Sequence, residues 1–430
     1  MIGFDSLQHG TLTDVGIRRS HNQDALATIL AKSPEGFRQQ GHIFLVADGM
    51  GGHAVGEKAS AKAVRDIPLT YLKHARDGVA NALRRAFVET NAGIYAIGQK
   101  NPEFKGLGTT ATALVLRPEG AWFAHVGDSR GYRVRDGQIQ QLTFDHSYVW
   151  EMARRQNCAP EEIQGFRSNV IIRSLGPDAL VQVDVEGPHL LQPGDVFVLC
   201  SDGLSGPISD PEIGAVASML PPEEACQFLV QLANLRGGPD NVSALIVRVG
   251  DPKEAGQPKA TRSLWSRLTR IHWSLPLLAC GVGLTVVALL MSLAAHWAGV
   301  LLFIAAAATI GAGFVGLLLH ARAEKRRQAE EPPPPNINVY REAPCSIDAA
   351  VVDKLAKANA NLRERIAEVS ADLVPTTFQP HIDRGDALAK GEDYAEAFRE
   401  HCRAMHELAK SYNKTRNKPE VFQPIWDRPK

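Results

Sequence analysis

Neither sign of charge predominates in this sequence: 47 lysines and arginines stand against 47 aspartates and glutamates. A nucleic-acid binder normally carries a basic excess on at least one domain, so neutrality argues against that class. Closely spaced cysteines are missing too. The six, Cys158, Cys200, Cys226, Cys280, Cys345 and Cys402, are scattered and form no C-x-x-C pair. That speaks against a disulfide framework or a zinc site and suits a reducing compartment. The opening residues, MIGFDSLQHGTLTDVG, lack a basic segment followed by an apolar core, so no cleavable signal peptide is expected. The last absence is local: from Trp273 to Leu319 there is no Asp, Glu, Lys or Arg.

That uncharged run is long enough to cross a bilayer twice, because about 20 helical residues make one crossing. The two crossings are expected over 274–294 and 298–319, with His296, Trp297 and Gly299 in the break. A buried core helix accounts poorly for an apolar run of this length. Arg262, Arg267 and Arg270 precede the run, and Arg322, Lys325, Arg326 and Arg327 follow it. Positive flanks prefer the cytoplasmic side. Two crossings place both flanks on one side, so the charges agree with a hairpin in the inner or cytoplasmic membrane. The rest of the chain is then cytoplasmic. A single long, tilted or re-entrant segment is the alternative.

A chain of 430 residues exceeds one ordinary domain. The composition divides it into a mixed domain over 1–251, a polar linker over 252–272 and the transmembrane hairpin over 273–320. A charged, proline-rich linker over 321–346 and a helical cytoplasmic tail over 347–430 follow. In the first domain Ile43–Ala47, Thr110–Leu116, Ala121–Val126, Asp195–Cys200 and Ser243–Val249 read as strands, and Val181, Val183 and Val185 alternate as in a half-buried strand. Gly56–His74, Val79–Gly98 and Pro221–Leu235 carry helical periodicity, and Pro222 suits a first turn. Two long helices among many strands, without regular βαβ alternation, predict sheets with helices packed outside. In the tail, Val352, Leu355, Asn359, Leu362, Ile366, Val369 and Leu373 form a heptad seam, and Tyr394, Phe398, His401, Met405, Leu408 and Tyr412 repeat the spacing. Two helices burying each other's faces is the simplest account, and a dimerising coiled coil is the alternative.

Chemistry is concentrated at aspartates beside small residues. Asn22-Gln23-Asp24, Asp48-Gly49-Met50-Gly51-Gly52, Gly127-Asp128-Ser129-Arg130, Ser201-Asp202-Gly203 and Gly238-Pro239-Asp240-Asn241 form the set. Asp48, Asp128 and Asp202 each follow an apolar, strand-like run. A strand end holds a carboxylate rigidly while its oxygens face a cleft, and glycine lets the backbone turn or approach a ligand. A single Asp-Gly is usually only a turn. Several convergent carboxylates instead suit a hard divalent cation such as magnesium or manganese. The residues alone therefore indicate a metal-assisted hydrolase.

The ordered segments TDVGIRRSHNQD, FLVADGMGGH, GLGTTATALVL, AHVGDSRGYRVRDGQIQQLTFDHS, DVFVLCSDGLSGPISD and GGPDNVSALIVRV resemble the bacterial PP2C-type (PPM) serine/threonine protein phosphatases over about residues 8–250. The resemblance does not extend to the apolar run or the tail. It implies an α+β fold, an α-β-β-α four-layer sandwich. It also implies two Mn2+ or Mg2+ ions, with Asp48 bridging them, the Gly49 carbonyl on one, and Asp202 and Asp240 on the other. Asp24 would hold metal-bound water, Asp128 would bind a weaker third ion, and Arg19 would grip the substrate phosphate. Two ions would lower the pKa of bridging water, giving a hydroxide that attacks phosphoserine or phosphothreonine. Arg19 can donate two parallel hydrogen bonds to a phosphate. Arg18 competes for that role, but the register from Asn22-Gln23-Asp24 favours Arg19. His53 is a candidate general acid or a turn residue. Thr109 and Thr110 are expected to pack in a strand, and 147–172 to form a flap over the site.

The leading expectation is thus a membrane-anchored phosphatase acting on phosphoproteins opposite a serine/threonine kinase. The tail would dimerise the enzyme or bind a protein partner, and no nucleic acid is involved. An inactive phosphatase-fold scaffold or sensor is the alternative, disfavoured because no member of the acidic set is lost. A hydrolase of another phosphate ester is a third reading.

Overall fold

The computed structural model describes residues 7–51, 56–250 apart from 101, 105, 164 and 167–169, scattered positions between 285 and 315, and 338–415 apart from 370. Two antiparallel sheets face each other. The first runs in the order β1 (Leu7–Asp14), β11 (Val242–Val249), β10 (Val196–Cys200), β7 (Arg130–Arg135), β8 (Gln138–Gln141) and β12 (Arg341–Pro344). The second runs β2 (Asp24–Ile29), β3 (His42–Met50), β5 (Ala111–Arg117), β6 (Gly120–Val126) and β9 (Asp184–His189), with the short β4 (Gly108–Thr109) also beside β3.

Strand alternation builds the layers. In β3, Phe44 and Val46 enter the core between the sheets, while Ile43, Leu45 and Ala47 enter a second core on the opposite face. In β10, Phe197 and Leu199 face the inter-sheet core, and Val196, Val198 and Cys200 face outward to a third. Successive side chains on a strand point to opposite faces, so continuous apolar strands must be covered twice. Helices α2 (Gly56–His74) and α3 (Val79–Lys100) cover the second sheet through Ala59, Ala63, Ile67, Leu83 and Phe87. Helices α6 (Asp210–Met219) and α7 (Pro222–Leu235) cover the first through Ile213, Val216, Phe228 and Leu229. This is the expected α-β-β-α sandwich. The short α1 (Pro34–Gln39) precedes β3, while α4 (Tyr148–Gln156) and α5 (Asp202–Ser205) lie in the connections.

Two local expectations change. Val181 and Val183 do not belong to a strand, although Val183 is buried and Val181 packs beside it. Pairing with β6 begins only at Asp184. Burial can alternate without a backbone ladder. The Thr110–Leu116 run is interrupted at Thr110, between β4 and β5.

The tail differs more. Helices α8 (Ala349–Val369) and α10 (Tyr394–Thr415) follow the two heptad patterns, but α9 (Gln379–Lys390) stands between them in sequence, making three helices rather than two among the described residues. Gly385 is the sole fully buried residue of α9, and Ile382, Leu388 and Ala389 on the same face are partly buried against the core. A Cβ on Gly385 would lie 2.9 Å from the His401 ring, so the glycine admits α10 at close range. Asn359 is buried in the seam and donates to the His401 carbonyl at 2.9 Å. Phe398, Cys402, Met405 and Leu408 share one apolar core with Phe228, Leu229 and the first sheet. Arg399 donates to the Met219 carbonyl at 2.8 Å, and His406 meets Gln231 at 2.7 Å. Residues up to 255 and from 337 onward accordingly make one compact unit, and 256–336 make a second.

The expected hairpin of 273–320 falls mostly outside the described residues. Described positions between 285 and 315 are helical, and Leu289, Leu290, Ile304 and Phe314 are exposed. Among the described residues no helix is long and apolar enough to cross a membrane.

Because the tail shares the sandwich core, Leu408→Ala should lower the unfolding free energy of the whole unit by about 3 kcal/mol. Urea denaturation of the full chain checks this. Separate tail and sandwich transitions, with only the tail transition displaced, would contradict the shared core.

Candidate active site

The acidic residues meet at one end of the sandwich because of register. Asp24, first in β2, lies opposite Asp48 near the end of β3. Asp202 follows β10 and opens α5, while Asp240 precedes β11, the strand paired with β10. Asp128 lies between β6 and β7. The close packing of these turns explains their glycines. A Cβ on Gly203 would stand 2.0 Å from the Asn241 carbonyl oxygen. One on Gly16, where φ is +77°, would stand 2.1 Å from the Asp240 carbonyl oxygen.

A polar frame fixes each carboxylate. The Asp48 amide donates to Thr110 Oγ1 at 2.9 Å, and the Asp48 carbonyl accepts from Thr109 Oγ1 and the Thr110 amide, each at 2.8 Å. Thr110 Oγ1 meets Ser129 Oγ at 2.7 Å, tying the Asp48 turn to the Asp128 turn. Asp24 Oδ2 accepts from Ser201 and Ser243, both at 2.7 Å. The Asn241 amide nitrogen donates to Val15 and His21 carbonyls, and its oxygen accepts from the Gln23 amide at 2.8 Å. Asn241 thereby ties the loop carrying Arg19 to Asp240. Arg19 pairs with Asp240 at 2.6 Å. The Arg18 amide bonds the Gly238 carbonyl at 3.1 Å.

Sequence reasoning placed Thr109 and Thr110 in a strand and gave them no further part. It overlooked Ser129, Ser201 and Ser243 as supports, although each lies near an aspartate in the motifs or on the following strand. His53 lies outside the described residues. Asp145 and His146 are committed elsewhere. Asp145 is held by Arg130 and Gln141, and His146 bonds Asp184 at 2.9 Å.

The electrostatics are dominated by burial and like charge. Burial, followed by Asp24, Asp202, Asp128 and Asp240, pushes Asp48 well above the usual carboxylate range, although it keeps some solvent access. Asp128 is pushed up to about 8 by burial, with Asp202 and Asp145 adding to it. Burial raises Asp24 to about 6 against the pull of its two serines. Asp202 is raised by burial and Asp240. The charge on Asp240 instead helps raise Arg19 above its ordinary value, chiefly through their hydrogen bond.

Among the described residues no group of three carboxylate, imidazole or thiol side chains stands ready to hold a metal ion. Asp240 is engaged by Arg19, and one Asp24 oxygen by two serines. The donor set nevertheless fits hard divalent cations. Asp24 Oδ1, Asp128 Oδ1 and Asp202 Oδ1 are buried without a hydrogen-bond partner, which is costly for a carboxylate unless a cation or proton arrives. All are oxygens, the donors magnesium and manganese prefer.

A protein phosphatase 2C family profile matches residues 17–236, slightly more than half of the chain. The protein phosphatase PhpP of Streptococcus pneumoniae is 35% identical over 246 residues, covering 56% of this chain and 96% of PhpP. The solved serine/threonine phosphatase of S. agalactiae is 35% identical, covers 56% of this chain and 99% of its own, and superposes with a TM-score of 0.50. The catalytic domain of the serine/threonine phosphatase PstP, solved in complex with two manganese ions, is 31% identical, covers 57% and 99% of the respective chains, and has a TM-score of 0.48. The chain belongs to the protein phosphatase 2C family and is a serine/threonine protein phosphatase acting on phosphoproteins.

Gly203→Ala tests the packing argument. Its Cβ would force the 202–203 backbone from Asn241, and a shift of about 1 Å at a reacting group can cost on the order of 10²-fold in rate. Phosphate release should fall by about that factor while far-UV circular dichroism stays native. Unchanged turnover would show that the close approach does not position Asp202.

Proposed function

We propose that this phosphatase hydrolyses phosphoserine and phosphothreonine with two divalent ions of the magnesium or manganese class, tethered to the cytoplasmic face of a membrane. The observation that carries the metal reading is the set of buried, unpartnered oxygens on Asp24, Asp128 and Asp202. Asp48, the Gly49 carbonyl, Asp202 and Asp240 would hold the two ions, and Asp128 a weaker third. Such ions, when bound, supply an activated water and neutralise charge on the phosphoryl group.

The chain's own residues do the rest. The threonine and serine frame keeps Asp48 and Asp128 at fixed spacing. Asp24 has one oxygen anchored and the other available to orient a water molecule. Arg19 is half-exposed and held by Asp240. Once Asp240 is neutralised, the guanidinium is free to turn to a substrate phosphate and bind it through two parallel bonds.

The membrane reading draws support from topology. The uncharged run Trp273–Leu319 separates β11 from β12, yet both strands belong to one sheet. Chain segments that fold into one sheet lie on the same side of any membrane. Crossings between them must therefore be even in number, which favours a hairpin over a single span. The positive flanks favour the cytoplasm for that side. A serine/threonine kinase is the expected counterpart of such an enzyme. The tail is a candidate for binding a further protein or a second copy.

Two experiments test these readings. Full-length protein should release phosphate from a phosphothreonine peptide only with added manganese or magnesium. Asp48→Asn and Asp202→Asn should each lower the rate by at least about 10²-fold, comparable to losing a main electrostatic stabiliser. Metal-independent turnover, or wild-type rates in both variants, would sink the metal reading. A reporter fused after Lys430 should signal from the cytoplasm, whereas a signal from the far side would refute the hairpin.

A further inference from the structure

The segment that re-enters the sandwich after the apolar run does more than close a sheet edge. Strand β12 pairs with β8, and the residues at its start contact the connection between β8 and β9. That connection contains α4 and a 3-10 turn at Pro160–Glu162. Both of its roots spring from the acidic site. At one root, the His146 amide donates to the Gly127 carbonyl at 2.7 Å, directly beside Asp128. At the other, Leu175 and Thr109 exchange backbone bonds of 2.9 and 3.0 Å, and Thr109 is a brace of Asp48. Ser147 and Ile171 bridge the two roots. The connection, which includes the expected flap of 147–172, is therefore rooted at both ends beside the site.

Arg341, at the start of β12, grips this flap at two places and the sandwich at a third. Its guanidinium pairs with Glu161 in the 3-10 turn and lies 5.8 Å from the Trp150 ring centre on α4. Its Nε is 3.6 Å from Asp210 at the start of α6. Asp210 also accepts from the Tyr132 hydroxyl at 2.9 Å, so it is a fixed post. Arg130, two residues beyond Asp128, lies 5.7 Å from the same Trp150 ring. Tyr340 adds a hydrogen bond to Glu186 at 2.5 Å and an edge contact to Phe144, whose ring also meets Trp150.

We propose that Arg341 is a positioning residue for the flap, so that the strand following the apolar run sets which protein substrates the phosphatase accepts. The inference rests on the phosphatase reading of the acidic site. A planar guanidinium can stack on an indole and pair with carboxylates at once, which lysine cannot do equally well. A small ester such as p-nitrophenyl phosphate has little to gain from the flap. A phosphopeptide extends across it.

The test uses full-length wild-type, Arg341→Ala, Arg341→Lys and Glu161→Ala proteins. For each, the KM for a phosphothreonine peptide is divided by the KM for p-nitrophenyl phosphate. Arg341→Ala should raise that ratio about fivefold, the scale of one cation–π contact plus one partly exposed ion pair. Arg341→Lys and Glu161→Ala should fall between. Amide hydrogen exchange over 148–156 should quicken in the same order. Exchange reads the grip even without turnover, so failure of the metal reading and failure of this proposal remain distinguishable. An unchanged ratio, or unchanged exchange, overturns the proposal. Equal losses on both substrates with a lowered melting temperature do so as well, because they mark Arg341 as a stability residue only.

Discussion

Repulsion among carboxylates is the constraint around which this structure is organised. Burial raises the proton affinities of Asp24, Asp48, Asp128 and Asp202, and the negative charges of their neighbours, Asp240 among them, add to the effect. A flexible loop would relieve such repulsion by moving apart. Here the backbone is denied that escape. Asp24 and Asp48 are opposed by strand register, and Asp202 and Asp240 belong to turns so close that Gly203 cannot carry a side chain. The threonine and serine hydroxyls between the Asp48 and Asp128 turns add a further brace. The three apolar cores hold these ends together, so stability elsewhere in the sandwich offsets the local electrostatic cost.

That division of labour explains what could be read in the chain. The aspartates, helices α2, α3 and α7, and strands β3, β5, β6, β10 and β11 were legible because each leaves a local trace: an acidic residue at the end of an apolar run, or a periodic face. Helix α7 begins at Pro222, where the sequence placed its first turn. The supports of the site were harder to see. Ser201 and Ser243 are separated by more than forty positions and converge on one Asp24 oxygen only through the pairing of β10 with β11 and the position of β2. Each lies close to an aspartate in sequence, but not to Asp24, the residue it supports. Helix α9 was illegible for the opposite reason. Its apolar face is short, only Ile382, Leu388 and Ala389 around Gly385, and these are only partly buried against the core, so the period is weak in the sequence.

In the tail the sequence missed a partner as well as an element. Heptad spacing identifies a buried face but not what buries it. The faces of α8 and α10 meet each other, as the pattern indicates, and α10 also meets α7 of the sandwich. The second contact was hidden because α7 shows a face that would look complete if it covered only its own sheet. Phe228 and Leu229 on neighbouring positions serve both demands.

If the tail were a separate module, whatever happened in the apolar run could reach the active site only through a tether. Instead β12 covers the β8 edge, which would otherwise present unpaired backbone groups. The same strand carries Arg341 to Trp150 and Glu161. Displacing this one strand would expose a sheet edge and release the flap together. The two events are coupled by covalent adjacency, with no need for a relay through the core. What holds the edge and the flap to this strand is a four-residue ladder and one arginine.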